Sequence, residues 1–277
     1  MSLSNKIDFA VVFQVRNANP NGDPLNGNRP RVTYEGLGEV SDVCLKRKMR
    51  DRLQEMKHPI FVQSDDRKTD GYASLRDRYE GEIKSKGKKN DELIAEVTQK
   101  WFDVRAFGHV LALKGAGAKA GDGVSIPIRG PVTVQTAFSV SPVSVTSTQI
   151  TKSVSGETTA TGKRSSDTMG MKHRVDKGIY CFYGSISPQL AIKTKFSDTD
   201  ADILKGILPR LFENDASSAR PDGSMRVLKV FWWKHNCPTG QYSSAKVHGS
   251  LKPIDNEVTP YELTELSKLK PEIIDGF

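Results

Sequence analysis

Within fifteen residues, 17–31, the stretch NANPNGDPLNGNRPR places five asparagines, three prolines and two glycines, and it closes on Arg29 and Arg31. Almost none of these side chains can enter a core. The amides of Asn19, Asn21 and Asn26 donate and accept hydrogen bonds, and the guanidinium groups carry permanent charge. Pro20, Pro24 and Pro30 limit flexibility, while Gly22 and Gly27 allow sharp turns. Asp23 is the one carboxylate in the stretch. It could hold Mg²⁺ and orient a water, or it could organise the Gly-Asp-Pro turn.

A second group of basic residues falls on the segment 41–57, SDVCLKRKMRDRLQEMK. Leu45, Met49, Leu53 and Met56 recur at helical spacing, so Lys46, Arg47 and Arg50 fall on the opposite arc. A third group lies in VSGETTATGKRSSDTMGMKHRV, which is basic at Lys163, Arg164, Lys172 and Arg174. An arm without apolar periodicity is either disordered or ordered by a partner. Met169 and Met171, near its end, are either adaptable contact residues or a return to the core. The net charge of +8 favours an anionic partner.

Other motifs carry less. GAGAKAGDG lacks the Gly-Lys-Ser/Thr of a phosphate loop and the spacing of a dinucleotide fingerprint. The five histidines show no helical metal pair, and no Gly-x-Ser-x-Gly accompanies a serine. Cys44, Cys181 and Cys237 form no C-x-x-C, which argues against zinc and a disulfide framework and fits a reducing cytoplasm. The residues Phe231–Trp233 either stack on bases or pack in a core strand. No metal or cofactor is expected, and no segment reads as a signal peptide or a bilayer span.

These groups need elements to position them. Ile7, Phe9, Val11, Phe13 and Val15 alternate with more mixed residues, so 7–16 reads as a strand and the amide-rich loop leaves its end. Ser41 is a natural N-cap for the helix that follows, with Asp42 in its first turn. Residues 58–90 are charged and weakly periodic, as in an exposed insertion. A helix from about Asp91 runs through Trp101 towards a strand at the tail of WFDVRAFGHVLAL, and KGAGAKAGDG reads as a flexible loop. PVTVQTAFSV, GIYCFYGSIS and MRVLKVFWWK read as strands. SDTDADILKGILPRLFEN reads as a helix capped by Ser197 and kinked at Pro209. A modest helix is expected near PYELTELSKL. Without the insertions the order is β-α-β-β-α-β, the ferredoxin-like or RRM-like pattern of an α+β domain.

Several segments match one family in order: NPNGDP after the first strand, SDVCLKRKMRDRL, WFDVRAFG, IRGPVTVQTAFSVSPV and TMGMKHRVDKGIYCFYG. The chain resembles the RNA-coating backbone subunit (RAMP type) of type I CRISPR surveillance complexes, or Cascade, most closely the subtype I-C form, over roughly residues 5 to 235. The resemblance implies one domain over 1–277: a modified RRM-like palm, a helical finger insertion at 58–100 and a β-hairpin thumb at 145–174. It implies copies polymerising head-to-tail along CRISPR RNA and presenting the spacer in segments to a target DNA strand. The large and repeat-handle-binding subunits would be further partners, with a helicase-nuclease acting indirectly and no membrane involved. The RNA-binding set so implied is Arg16, Asn19, Asn21, Asn26, Arg29, Arg31, Lys46, Arg47, Arg50, Arg105, Lys163, Met169, Met171, Lys172, His173 and Arg174. Amides and arginines would hold phosphate and 2′-OH without reading bases. The expected role is a non-catalytic scaffold. The alternatives are a metal-dependent ribonuclease of the type III kind using Asp23, and a generic single-strand binder.

Overall fold

Strand β1 (Ile7–Ala18) has apolar residues on both faces, and Phe9, Ala10, Val11, Val12, Phe13 and Val15 are all buried. Such a strand must lie inside a sheet that is covered on both sides. The computed structural model describes residues 2–84, 87–113, 124–151 and 169–277. After β1 come the small hairpin β2 (Gly22–Asp23) and β3 (Arg29–Pro30), then strand β4 (Leu37–Val40) and helix α1 (Asp42–Glu55). Helices α2 (Leu75–Glu82), α3 (Asn90–Lys100) and α4 (Phe102–Phe107) lead to the hairpin β5 (Gly108–Leu113) and β6 (Val124–Arg129). Strands β7 (Val132–Val134), β8 (Ala137–Pro142), β9 (Val145–Thr151) and the long β10 (Met169–Ile186) follow. Then come α5 (Pro188–Thr194), α6 (Asp198–Ile207) and β11 (Met225–Lys234). The C-terminal segment contributes α7 (Ser244–Gly249), β12 (Leu251–Pro253), β13 (Tyr261–Leu263) and β14 (Glu272–Asp275).

The main sheet is antiparallel, in the order β14-β11-β1-β10-β8-β4, with β7 and β9 also paired to β10. Helices α1 and α6 cover one face. Ser41 caps α1 by accepting from the Cys44 N–H, and Leu45, Met49 and Leu53 are buried on the sheet. Met56, expected in the same stripe, is exposed because the helix ends before it. Ser197 and Asp200 close a capping box on α6. Pro209 converts the chain beyond Ile207 to a 3₁₀ turn at Leu208–Arg210. The apolar side chains of α1 and α6 pack with Phe9, Phe13, Phe182 and Trp232 into one core.

The segment 58–90 is not simply exposed. Phe61, Tyr79 and Ile83 join Leu93, Val97, Trp101, Val104, Leu111, Ile126 and Ile128 in a second core. Its contributors come singly from short elements and turns, so no window of sequence shows a clear period. The expected loop 114–123 lies outside the described residues.

The other sheet face is covered by the C-terminal segment, where Val247, Leu251 and Leu269 pack on Ala10, Val12, Ile179, Cys181, Phe231 and Trp233. The helix expected near PYELTELSKL does not form. Residues 261–263 instead pair with β12, with Tyr261 edge-on to Phe231 at 4.7 Å. Ten residues that open on a proline gain little from an isolated helix, and more from laying two apolar side chains on the sheet. Phe231 and Trp233 are core residues stacked 5.9 Å apart, and Trp232 packs on the opposite face, so this triplet does not present rings for bases.

Asp8 fastens the C-terminal segment to the sheet. Its carboxylate is fully buried, 2.9 Å from His235 Nε2, 3.4 Å from His248 Nε2 and 3.2 Å from Lys6 Nζ. The Gln241 backbone N–H donates to His235 Nδ1 at 2.9 Å, which leaves the Nε2 proton for Asp8. Burial works to raise the Asp8 carboxyl, but His235, His248, Ser244 and the Lys6 charge outweigh it and hold it well below the usual carboxylate range. A depressed folded-state pKa adds stability above the unfolded value, near 4, that drains away as pH falls. Melting temperature measured against pH is therefore expected to drop below about pH 4. Asp8→Asn should make that drop shallower and lower stability at neutral pH by roughly 1–3 kcal/mol.

Candidate nucleic-acid interface

The amide-rich loop is held open by its own amides. Asn19 is buried: its N–H donates to the Ala219 carbonyl (2.8 Å), and its Nδ2 donates to the Asn28 carbonyl (2.7 Å). Asn21 Oδ1 accepts from the Ser41 N–H (3.0 Å) and from Ser41 Oγ (2.9 Å), tying the loop to the start of α1. Asp23 caps the turn Pro24–Asn26 by accepting from the Leu25 N–H (3.1 Å), and it lies 3.6 Å from Arg31 Nη2. Gly27 and Asn28 take positive φ, 58° each, which lets the turn reverse. What the loop presents outward is Asn26, fully exposed Leu25 and half-buried Arg29, which has no ion pair among the described residues.

The base of the arm stands beside this loop. Arg16 pairs in register with Lys177, and Ala18 with Val175, so β1 gives way to the loop where β10 leaves the sheet. β10 continues to Met169, paired among the described residues with β9 alone. Along this two-stranded arm Met169 and Met171 are 66% and 55% exposed, so neither returns to the core. Lys172 is exposed, Arg174 lies 3.6 Å from Asp176, and His173 Nδ1 is 2.8 Å from Ser147 Oγ. Lys163 lies outside the described residues.

The α1 cations are placed differently from the expectation of a free basic arc. Lys46 pairs with Asp42 at 3.1 Å, and Arg47 with Asp51 at 3.0 Å while also donating to the Val62 carbonyl. Arg50 pairs at 2.9 Å with fully buried Asp103 and lies over the Phe107 ring. For Arg47 and Arg50 part of the cause is the chain at 61–62 and 103, which docks on that arc. Arg105 is likewise occupied: it makes two hydrogen bonds to Asp200, at 2.8 and 3.1 Å, and one to the Thr98 carbonyl, and it joins α4 to the cap of α6. Asp42 and Asp51 lie four residues from Lys46 and Arg47, a spacing visible in the sequence. Asp103 between apolar neighbours was the signal for Arg50.

The structure adds two cations to Arg16. Lys177 and Arg226 stand with it on three adjacent strands, on the face that carries the C-terminal segment, and all three surround Glu257. Polar residues interrupting the apolar alternation of three strands at corresponding places were the available signal.

A mixed α/β protein with a central antiparallel sheet, whose amide-rich loop and strand-pair arm share one sheet end with unburied cations, is the class so defined. The family model described as CRISPR-associated protein Cas7 matches residues 5–270, and the chain belongs to that family. A CRISPR-associated protein Cas7 of Haloferax volcanii is 27% identical over 245 residues, covering 83% of this chain and 71% of that one. Among solved structures, a chain of a "CRISPR RNA-guided surveillance complex, pre-nicking" aligns with a TM-score of 0.49 at 14% identity, over 82% of this chain and 78% of that one. A chain of another CRISPR RNA-guided surveillance complex aligns with a TM-score of 0.44 at 14% identity, over 82% and 68%.

The geometry separates exposed cations from those held in partly buried ion pairs. Arg50→Ala is expected to cost roughly 3 kcal/mol, since it leaves Asp103 buried beside two backbone N–H groups without its counter-charge. Denaturant unfolding checks the stability. The salt dependence of RNA binding should stay unchanged in the folded variant.

Proposed function

We propose that this chain is the CRISPR RNA-binding backbone subunit of a type I complex, of the I-C form. Several copies associate head-to-tail along the spacer and present it in segments to a target DNA strand. The large and repeat-handle-binding subunits complete the complex, and a separate helicase-nuclease degrades the DNA. Family membership supports the CRISPR association. The observation that carries the RNA reading is the register at the end of β1 and β10, which sets the amide-rich loop against the base of the arm with Arg16 and Lys177 between them.

The palm of this reading is RRM-like. Among the strands that flank α1 and α6, the sheet order is β11-β1-β10-β8, so the first strand lies between the last and the third, as in a βαββαβ unit. The second core corresponds to the fingers at 58–100, extended by β5 and β6. The β9/β10 arm corresponds to the thumb at 145–174. Exposed Met169 and Met171 suit the gap left by a displaced nucleotide, because an unbranched thioether fills irregular apolar space with little strain. Lys172 and Arg174 would hold flanking phosphates. Sequence-independent contacts suit a carrier whose guide changes while the protein does not. The chain acts as a scaffold, with Asp23 serving its turn.

Purification of the chain from cells carrying a CRISPR array is expected to bring down a discrete repeat-spacer RNA. Binding measured at several salt concentrations should lose about 0.7 in slope for each of Arg29→Ala and Lys172→Ala. A wild-type slope in both variants would remove the loop and the arm from the interface. Paired target RNA incubated with Mg²⁺ should stay intact with the wild type. Cleavage that Asp23→Ala abolishes would replace the scaffold by a ribonuclease.

A further inference from the structure

Three cations converge on one carboxylate at one end of the sheet, on three interior strands. Arg16 Nη2 and Lys177 Nζ lie 3.0 and 2.9 Å from Glu257 Oε1, and Arg226 Nη2 lies 3.5 Å from Oε2. The cations come from β1, β10 and β11, whose pairing brings Arg16 opposite Lys177 and Gln14 opposite Arg226. Gln14 Oε1 accepts from Arg226 Nε at 3.0 Å and fixes that side chain. The three side chains remain 57%, 53% and 53% exposed, and none pairs with another carboxylate among the described residues. The cluster therefore keeps an excess of two positive charges.

Glu257 comes from a loop built independently of these strands. The loop joins β12 to β13 and is closed by the Ile254 N–H donating to the Pro260 carbonyl at 2.8 Å. Asn256 Oδ1 accepts from the Val258 and Thr259 N–H groups at 2.8 and 3.0 Å. The loop keeps these bonds whether or not Glu257 touches the cations, so its side chain can leave without unfolding its support. Ion pairs this exposed add little to stability. Three cations on neighbouring strands repel one another, which folding alone does not require. A carboxylate presents two anionic oxygens to a guanidinium much as a phosphodiester does.

We propose that Arg16, Lys177 and Arg226 form a phosphodiester site and that Glu257 fills it in the free protein, leaving when an RNA backbone enters. This rests on the RNA-binding reading and adds an exchange to it: a carboxylate leaves the cluster and a phosphate takes its place. The Gln14 amide and the Lys177 ammonium hold the Glu257 carboxyl down at about 2, so it stays charged at every pH where RNA binding is measured. The occupant yields to phosphate, not to protons. It also keeps the cations ordered and raises the threshold for weakly held anions.

The test uses the full chain and a short fluorescein-labelled oligouridylate, followed by anisotropy at several salt concentrations. Glu257→Gln and Glu257→Ala are expected to bind about three- to ten-fold tighter than wild type with an unchanged melting temperature. Arg16→Gln, Lys177→Gln and Arg226→Gln should each lower the salt slope by about 0.7. Combining all three should abolish the gain from Glu257→Gln. RNA bound only once Glu257 is replaced also supports the exchange. Wild-type binding with unchanged or weaker affinity in both Glu257 variants overturns the exchange and leaves the RNA reading standing. RNA bound by none of the proteins overturns both.

Discussion

The antiparallel pairing of β1 with β10 is the constraint on which the rest depends. It runs from Ile7 opposite Ile186 to Ala18 opposite Val175. β10 outlasts its partner and continues into the arm with β9, while β1 turns at Asn17, with φ of 53°, into the amide-rich loop. Two features far apart in sequence thus leave the sheet at one point. A shift by one residue would turn every core side chain of β1 to the other face, and both faces here are covered.

Each face has its own fastening. α1 and α6 close one through aliphatic side chains. The C-terminal segment closes the other through a smaller apolar cluster and the buried Asp8, whose two imidazole partners are His235, directly after β11, and His248 on α7. A buried carboxylate without partners would destabilise the fold, so this arrangement commits the segment to one position. The β12/β13 hairpin, and with it Glu257, is carried to the basic end of the sheet as a consequence.

The net positive charge is unevenly distributed in its function. Cations on α1, and Arg105 between α4 and α6, are neutralised one by one: Lys46 by Asp42, Arg47 by Asp51, Arg50 by Asp103, and Arg105 by Asp200. Their surroundings are partly dry, where an unpaired charge is costly. At the end of the sheet and along the arm, water screens the cations, and several remain under-compensated. The same residue types therefore do two kinds of work, and burial decides which.

Local sequence determined much of this molecule. The alternation of Ile7 to Val15, the caps at Ser41 and Ser197, the stripe Leu45–Met49–Leu53 and the inability of the loop at 17–31 to enter a core follow from neighbour spacing and backbone preference, which need no distant partner. The ordered motifs carried the family. Tertiary structure alone decided the second core, assembled from single residues of many elements, and the use of 261–263 as a strand, where pairing outweighed a weak helical pattern. It also decided which arginines stay at the surface and which are drawn into partly buried ion pairs. Arg47, Arg50 and Arg105 look like Arg16 and Arg29 in sequence. Whether a guanidinium meets water or a buried carboxylate depends on what folds over it, and that partner can lie a hundred residues away.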